Sequence, residues 1–213
     1  LAVFPFWEQR VPSPVVEFAL LKRRAFFGGG SIIALQNMAM YPLLFQLPVF
    51  FDRVRHLRAR SMGQSLLGLT VAMMIASIVG GRLTERIGAR VQTLLGSLVA
   101  LAGFWWFANL EATLQPSDVM PGMLLIGTGV GLTTPPAQAA SMSTVNRAQS
   151  GMASGVVSTM RYIGGVAGTT VLGVLLSDSS SPAAHQRPMF VYAGALILAA
   201  GLSMLLPGRQ VDT

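Results

Sequence analysis

Long apolar runs separated by short charged connectors dominate this sequence. A helix needs about 20 predominantly apolar residues to cross the hydrocarbon core of a bilayer. Six runs approach or exceed that length, and Arg161 is the one ionisable residue inside them. The pattern predicts an all-α polytopic membrane protein, a six-transmembrane-helix bundle. The six runs are residues 26–51, 62–79, 91–110, 119–140, 151–176 and 189–206.

Composition supports the membrane class and excludes others. The chain is 52% hydrophobic and 11% charged, whereas soluble domains carry about 25% charged residues. The net charge of +7 does not indicate nucleic-acid binding, because the arginines lie in connectors between apolar runs. The absence of cysteine excludes a disulfide framework and cysteine metal sites.

The sequence contains no residue pattern typical of an enzyme active site, and we expect neither enzymatic activity nor a cofactor or metal. His56 and His185 lie in connectors, without a paired acid or cysteine at ligand spacing. There is no phosphate-binding loop, nucleophile elbow or metalloprotease helix motif. Both histidines are expected to be solvated loop residues.

The apolar pattern also divides the chain. We expect a fragment in which residues 1–6 end an upstream transmembrane helix, 7–25 form a cytoplasmic connector, 26–206 form the six-helix domain, and 207–213 form a cytoplasmic tail. Lys and Arg number nine on the face of the first connector and five on the other, which favours the first as cytoplasmic. A run on the predicted outer face opposes this assignment: Arg53, Arg55, Arg58 and Arg60.

Residues 80–90 form the most distinctive connector. Three arginines and a glutamate lie between two long apolar runs, with glycines at 80, 81 and 88. Glycine permits a sharp reversal of the backbone, and dense basic residues favour the cytoplasmic side. The segment is therefore predicted to be a tight cytoplasmic hairpin between the second and third spans.

This hairpin resembles the signature loop of the major facilitator superfamily, through Gly81, Glu85, Arg86, Gly88 and Arg90. The family usually has aspartate at the position of Glu85, and often a basic residue at that of Ala89. The resemblance implies that the acid contacts a helix N-terminus in the other half of the transporter, where the helix dipole favours a carboxylate. The alternative is a solvated acid that offsets nearby arginine charge.

The fifth span carries a second resemblance, to the penultimate helix of fourteen-span drug:proton antiporters. The residues concerned are Gly151, Gly155, Arg161, Gly164, Gly165 and Gly168. Small residues four apart let helices approach closely, so ordinary packing competes with a role at the moving interface between halves. Arg161, which would cost about 2.5–3.5 kcal/mol at mid-membrane, either snorkels to the headgroups or faces a cavity or the opposing half.

The resemblances imply the C-terminal half of a major facilitator transporter with a 3+3 repeat. They imply proton-coupled multidrug efflux by alternating access, with the absent N-terminal half, the lipid bilayer, protons and small lipophilic, often cationic, substrates as partners. The location implied is the bacterial inner membrane, a multi-pass cell-membrane location. No span contains a carboxylate, so we expect the coupling acid in the missing half. The alternatives are another substrate class in the same superfamily, or a non-transport structural membrane protein.

The resemblance also implies which spans face what: spans one and four line the cavity, two and five face the other half, and three and six face lipid. Pro135 and Pro136 are expected to kink the fourth span and free backbone carbonyls, although such kinks also occur without a site. Methionines adapt to varied ligands or simply fill space. The candidate cavity residues are Gln36, Asn37, Met40, Tyr41, Thr134, Pro135 and Gln138.

Overall fold

The computed structural model describes residues 18–55, 59–109, 116–176 and 187–208, and these are almost entirely helical. Short 3-10 turns at Arg147–Gln149 and Ser203–Leu205 accompany the α-helices. The α-helices are α1 Phe18–Leu21, α2 Arg24–Arg55, α3 Ala59–Ala108, α4 Pro116–Met142, α5 Ser150–Leu176 and α6 Arg187–Leu202. The predicted segment 1–6 and both histidines lie outside the described residues.

Helix α3 contains two spans joined by a reversal at Gly88. Gly88 has φ 81° and ψ 157°, a combination that essentially only glycine adopts without strain. Gln92 Nε2 donates a hydrogen bond of 2.7 Å to the carbonyl of Gly80. Twelve residues of straight helix would separate these residues by about 18 Å. The chain therefore folds back, giving a first limb (residues 59–87) and a second limb (residues 89–108).

Several predicted boundaries are wrong because the helices continue beyond the apolar runs. The hairpin predicted over 80–90 is helical up to and after Gly88. Helix α2 extends to Arg55, inside the predicted connector 52–60. Helix α4 begins in the predicted acidic turn 111–117 and stays helical through Pro135 and Pro136. Polar residues such as Arg, Glu and Gln are good helix formers, so loss of hydrophobicity does not end a helix.

The helices form two triplets: α2 with the two limbs of α3, and α4 with α5 and α6. The packing between the triplets is reciprocal. Helix α2 packs against α5 and α6, while α4 packs against α3, which contributes both its limbs. The first helix of each triplet thus lies against the second and third helices of the other. This arrangement is the 3+3 repeat of a six-helix bundle, and it brings α2 and α4 into contact at the centre.

Glycines set the closest helix contacts. A methyl group on Gly164 or Gly168 of α5 would clash with the carbonyl of Ala34 or Met38 of α2, respectively. In the same way, Gly127 and Gly131 of α4 lie against the carbonyls of Leu69 and Met73 in the first limb of α3. Each pair repeats after four residues, the small-residue spacing that allows backbones to approach within a membrane.

The outward faces are apolar. Large side chains such as Ile78, Leu98, Val166 and Leu198 are about half exposed or more. So many exposed large apolar side chains indicate surfaces that contact membrane or protein. Within the described residues, two helical segments are long and apolar enough to cross a membrane by length and composition alone, Gly63–Ala108 and Pro188–Leu205. The first has 46 residues, enough for two crossings.

Candidate functional site

Gln36 of α2 and Thr134 of α4 meet in the centre of the bundle. Gln36 is 2% exposed. The Thr134 hydroxyl lies 3.2 Å from Gln36 Oε1 and 2.9 Å from the carbonyl of Val130. Its single proton can serve only one of these acceptors. Gln36 Nε2 has no hydrogen-bond partner among the described residues, so this buried amide retains unused bonding capacity.

One turn further along α4, Gln138 meets Arg161 of α5. Arg161 Nη2 donates a hydrogen bond of 3.1 Å to Gln138 Oε1. Thr134 and Gln138 are four residues apart and therefore lie on the same face of α4. Two polar pairs thus join α2, α4 and α5. The polar line, as we call Gln36, Thr134, Gln138 and Arg161, unites three candidate cavity residues with the intramembrane arginine.

The other predicted cavity residues have different surroundings. Asn37 Nδ2 donates to the carbonyl of Ile33 at 2.7 Å, so this amide donor is used within its own helix. Met40 packs against the apolar core that contains Leu43. The ring of Tyr41 lies beside Gly165 of α5, and Pro135 is half-buried beside Thr134.

The five predicted interface glycines of α5 divide into two groups. Gly164, Gly165 and Gly168 are buried against α2, within this chain. Gly151 and Gly155 are exposed, and a methyl group on either would meet no atom within 4 Å. Of these five glycines, Gly151 and Gly155 are the two that leave an open surface for another helix.

Gln92 is a central polar residue that the sequence analysis missed. Its side chain is 0% exposed. Besides the Gly80 carbonyl, Nε2 donates to the carbonyl of Leu132 in α4 at 3.0 Å. The Thr84 hydroxyl donates to Gln92 Oε1 at 2.8 Å. One buried amide therefore joins both limbs of α3 to α4, with both of its N–H donors satisfied. The Thr84 hydroxyl also lies 2.8 Å from the carbonyl of Gly80, so two acceptors share its single proton.

Pro136 explains why Leu132 needs this donor. Proline has no backbone N–H, so it cannot bond to the carbonyl four residues earlier. The residue four before Pro136 is Leu132, whose carbonyl accepts from Gln92 instead. The expected freed carbonyl is thus present, but it binds another helix of the bundle. A glutamine in a mostly apolar span, together with a proline in a following span, is the sequence signal for this contact.

Arg90, the last residue of the signature loop, binds the segment that directly follows α6, including its 3-10 turn. Its Nη2 donates to the carbonyl of Met204 at 2.9 Å and its Nε to that of Leu206 at 3.3 Å. Its backbone N–H donates to the carbonyl of Pro207 at 3.3 Å. Carbonyls at a helix C-terminus lack helical partners and carry partial negative charge, which favours a cation. Arg90 thereby ties the α3 hairpin to the chain end.

Of the other four signature residues, Gly88 is buried and three are exposed. Gly81, Glu85 and Arg86 are exposed. Glu85 makes no ion pair within the described part of the chain. On another part of the bundle, Arg23 at the start of α2 donates to the carbonyl of Thr144, after α4. The α1–α2 junction and the α4–α5 connector therefore lie at the same end of the bundle.

The comparisons with known proteins identify the family. The model of the Major Facilitator Superfamily matches residues 4–169. The chain belongs to this superfamily, whose members are multi-pass membrane transporters of small molecules.

Relatives in bacteria agree with this assignment. Multidrug resistance protein Stp of Mycobacterium tuberculosis is 31% identical over 83% of this chain and 33% of its own length. The uncharacterized MFS-type transporter YvkA of Bacillus subtilis is 29% identical over 79% of this chain and 38% of its own length. The methylenomycin A resistance protein of Streptomyces coelicolor is 27% identical over 95% of this chain and 42% of its own length. The chain spans about a third of the length of the first relatives.

Proposed function

We propose that this chain forms the C-terminal six-helix half of a secondary active transporter that exports small lipophilic molecules. The observation that carries the proposal is the polar line, which joins α2, α4 and α5 in an otherwise apolar bundle. Transporters place substrate sites near the midplane, between repeats, and two halves then rock around the site. Gln36 supplies an unsatisfied amide atom that a substrate group can bind once the halves move.

Drug efflux is the substrate class that the relatives favour. Among the relatives, the names of Stp and the methylenomycin A resistance protein state drug resistance, and that of the multidrug transporter protein MdtP of Bacillus subtilis states drug transport. An apolar cavity with few polar groups suits varied lipophilic ligands. We extend this class to the present chain as part of the proposal. The competing substrate class would be another small molecule carried by the same superfamily.

The proposed contact with the N-terminal half uses the first limb of α3 and the outer face of α5. Glu85 is exposed at the end of the first limb without an ionic partner in the described chain, and Gly151 and Gly155 present open backbone. A carboxylate gains stability at a helix N-terminus. We propose that Glu85 binds such a terminus in the other half and steadies one access state.

Proton coupling is the second part of the proposal. A coupling group must take up and release a proton inside the membrane, and the six apolar runs contain no carboxylate. We assign this group to the N-terminal half. Neutralising every intramembrane acid of that half should abolish proton-driven efflux from proteoliposomes containing the full transporter. Continued efflux would overturn the assignment.

The test of the transport function uses the full-length protein and the efflux of ethidium, a lipophilic fluorescent cation. Gln36→Leu and Glu85→Ala should slow efflux at equal protein levels. Asn146→Leu is the control, because Asn146 is an exposed amide in the connector between α4 and α5, outside the proposed contact with the N-terminal half. If wild-type protein transports ethidium and all three variants match it, the assigned roles are wrong. If the wild type transports no member of a drug panel, the efflux function itself fails.

A further inference from the structure

Arg161 carries a positive charge whose hydrogen-bonded partner, Gln138, is neutral. We infer that Arg161 binds a carboxylate that the described part of this bundle does not supply, contributed either by an anionic substrate or by the N-terminal half. The inference rests on the proposed function, since it requires a substrate cavity or an opposing half. It adds the chemical class of the group that occupies this part of the site.

The hydrogen bond to Gln138 argues against simple snorkelling of Arg161. Arg161 is eleven residues from Ser150, or about 16 Å along α5. Helical side chains lean toward the N-terminus of their helix, which brings the guanidinium toward Gln138. Gln138 is four residues from Met142, about 6 Å before the end of α4. The guanidinium is thus held between helices by a hydrogen bond, inside the end of the bundle.

The charge is unbalanced within the described chain. A charged side chain at membrane depth is normally paired, because solvation by hydrocarbon is poor. Asp118, on the same helix as Gln138, lies 20 residues away, or about 30 Å. Glu85 lies in the hairpin of α3 and makes no ion pair with Arg161. A glutamine oxygen satisfies one N–H but cannot neutralise the charge.

The free donors of Arg161 are accessible from outside the bundle. A guanidinium has five N–H donors, and one hydrogen bond of the Arg161 side chain is present. Arg161 is half-buried at the border of the open face of α5, where the neighbouring Tyr162 is 63% exposed. A carboxylate approaching from the cavity or from the other half can therefore form the paired, charge-assisted hydrogen bonds that guanidinium favours.

The experiment compares three related probes in proteoliposomes containing the full transporter: 2-naphthoate, 2-naphthylmethanol and 2-naphthylmethylammonium. Arg161→Gln removes the charge, and Gln138→Glu places a competing carboxylate beside it with almost no change of shape. Each variant should slow transport of at least one probe about tenfold, as expected for a charge-assisted hydrogen bond. Arg161→Lys should retain part of the activity. Arg147→Gln, which removes an exposed connector cation, should have no effect.

The pattern across probes identifies the source of the carboxylate. A loss of transport confined to 2-naphthoate indicates a carboxylate on the substrate. An equal loss of transport for all three probes indicates a carboxylate in the N-terminal half. Transport within twofold of wild type for both Arg161→Gln and Gln138→Glu, with every probe, overturns the inference.

Thermal unfolding of the purified transporter provides a readout independent of transport. A substrate carboxylate predicts that 2-naphthoate raises the Tm of wild type but not that of Arg161→Gln. A carboxylate in the other half predicts a lower Tm for Arg161→Gln than for Arg161→Lys, without any probe. If efflux is absent but one of these two Tm results is observed, only the proposed efflux function is refuted. If the wild type transports none of the probes and neither Tm result is seen, the inference is refuted as well.

Discussion

The contact between Gln92 and the carbonyl freed by Pro136 makes a quantitative prediction. Gln92→Leu preserves most of the side-chain volume but removes the donor to Leu132 and the contacts with Gly80 and Thr84. Pro136→Ala restores the N–H that an uninterrupted helix would offer to Leu132. The consequence of losing Gln92 should therefore depend on whether residue 136 is proline.

The magnitude follows from the group left unsatisfied. A buried carbonyl without a donor costs about 1–3 kcal/mol, while polar contacts between membrane helices average about 0.6 kcal/mol and reach about 1.7. We expect Gln92→Leu to lower the free energy of unfolding by about 1–3 kcal/mol in the proline background. With alanine at 136 the loss should shrink by about 1 kcal/mol, because the Leu132 carbonyl regains a backbone partner.

The assay is a double-mutant cycle on the full-length transporter, with reversible unfolding in SDS followed by circular dichroism. Asn146→Leu serves as the control, since Asn146 is exposed in the connector between α4 and α5 and its side chain makes no capping hydrogen bond. Independent sites add within about 0.5 kcal/mol. If Gln92→Leu and Pro136→Ala are additive within that margin, Gln92 does not compensate for the proline.

Three further predictions concern stability, measured as thermal unfolding of the same protein. Gly164→Ala should cost about 1–3 kcal/mol through overpacking against Ala34. Gly201→Ala should be neutral or stabilising by up to about 1 kcal/mol, because Gly201 is exposed on α6 and an added methyl group would meet no atom within 4 Å; equal effects of the two changes would contradict the packing. Gly88→Ala should cost about 1–3 kcal/mol because of its backbone conformation, and an unchanged Tm would exclude strain there. Arg90→Gln should lower the Tm more than Arg90→Lys, because lysine keeps the favourable charge beside the carbonyls that follow α6; the reverse order would contradict that contact.

The fold class followed from the apolar runs, but the helix ends did not. A bilayer forces each apolar run to satisfy its backbone internally, so six runs predict six helical spans. The ends depend on local propensity and tertiary contacts. Residues 82–87 continue the first limb of α3 because charged residues with good helix propensity follow the apolar run, and the helix stops only at Gly88.

The sequence predicted which residues form the candidate site, but not which of them are hydrogen-bonded to each other. Gln36, Thr134, Gln138 and Arg161 stood out as polar residues in apolar runs, yet their partners depend on how α2, α4 and α5 cross. Gln92 escaped notice because an amide near the end of a span usually faces the interface. Its role depends on Leu132, which becomes unsatisfied only because of Pro136 on the same helix.

The sequence by itself determined that the chain is helical, crosses a membrane and carries a signature hairpin, because these properties depend on hydrophobicity and local backbone freedom. Tertiary structure decided which groups meet. It buried Gly164 and Gly168 inside the bundle while leaving Gly151 and Gly155 open, although all four fit the same small-residue pattern. Which face of a helix is covered depends on the crossing of its neighbours, and a linear pattern does not encode that crossing.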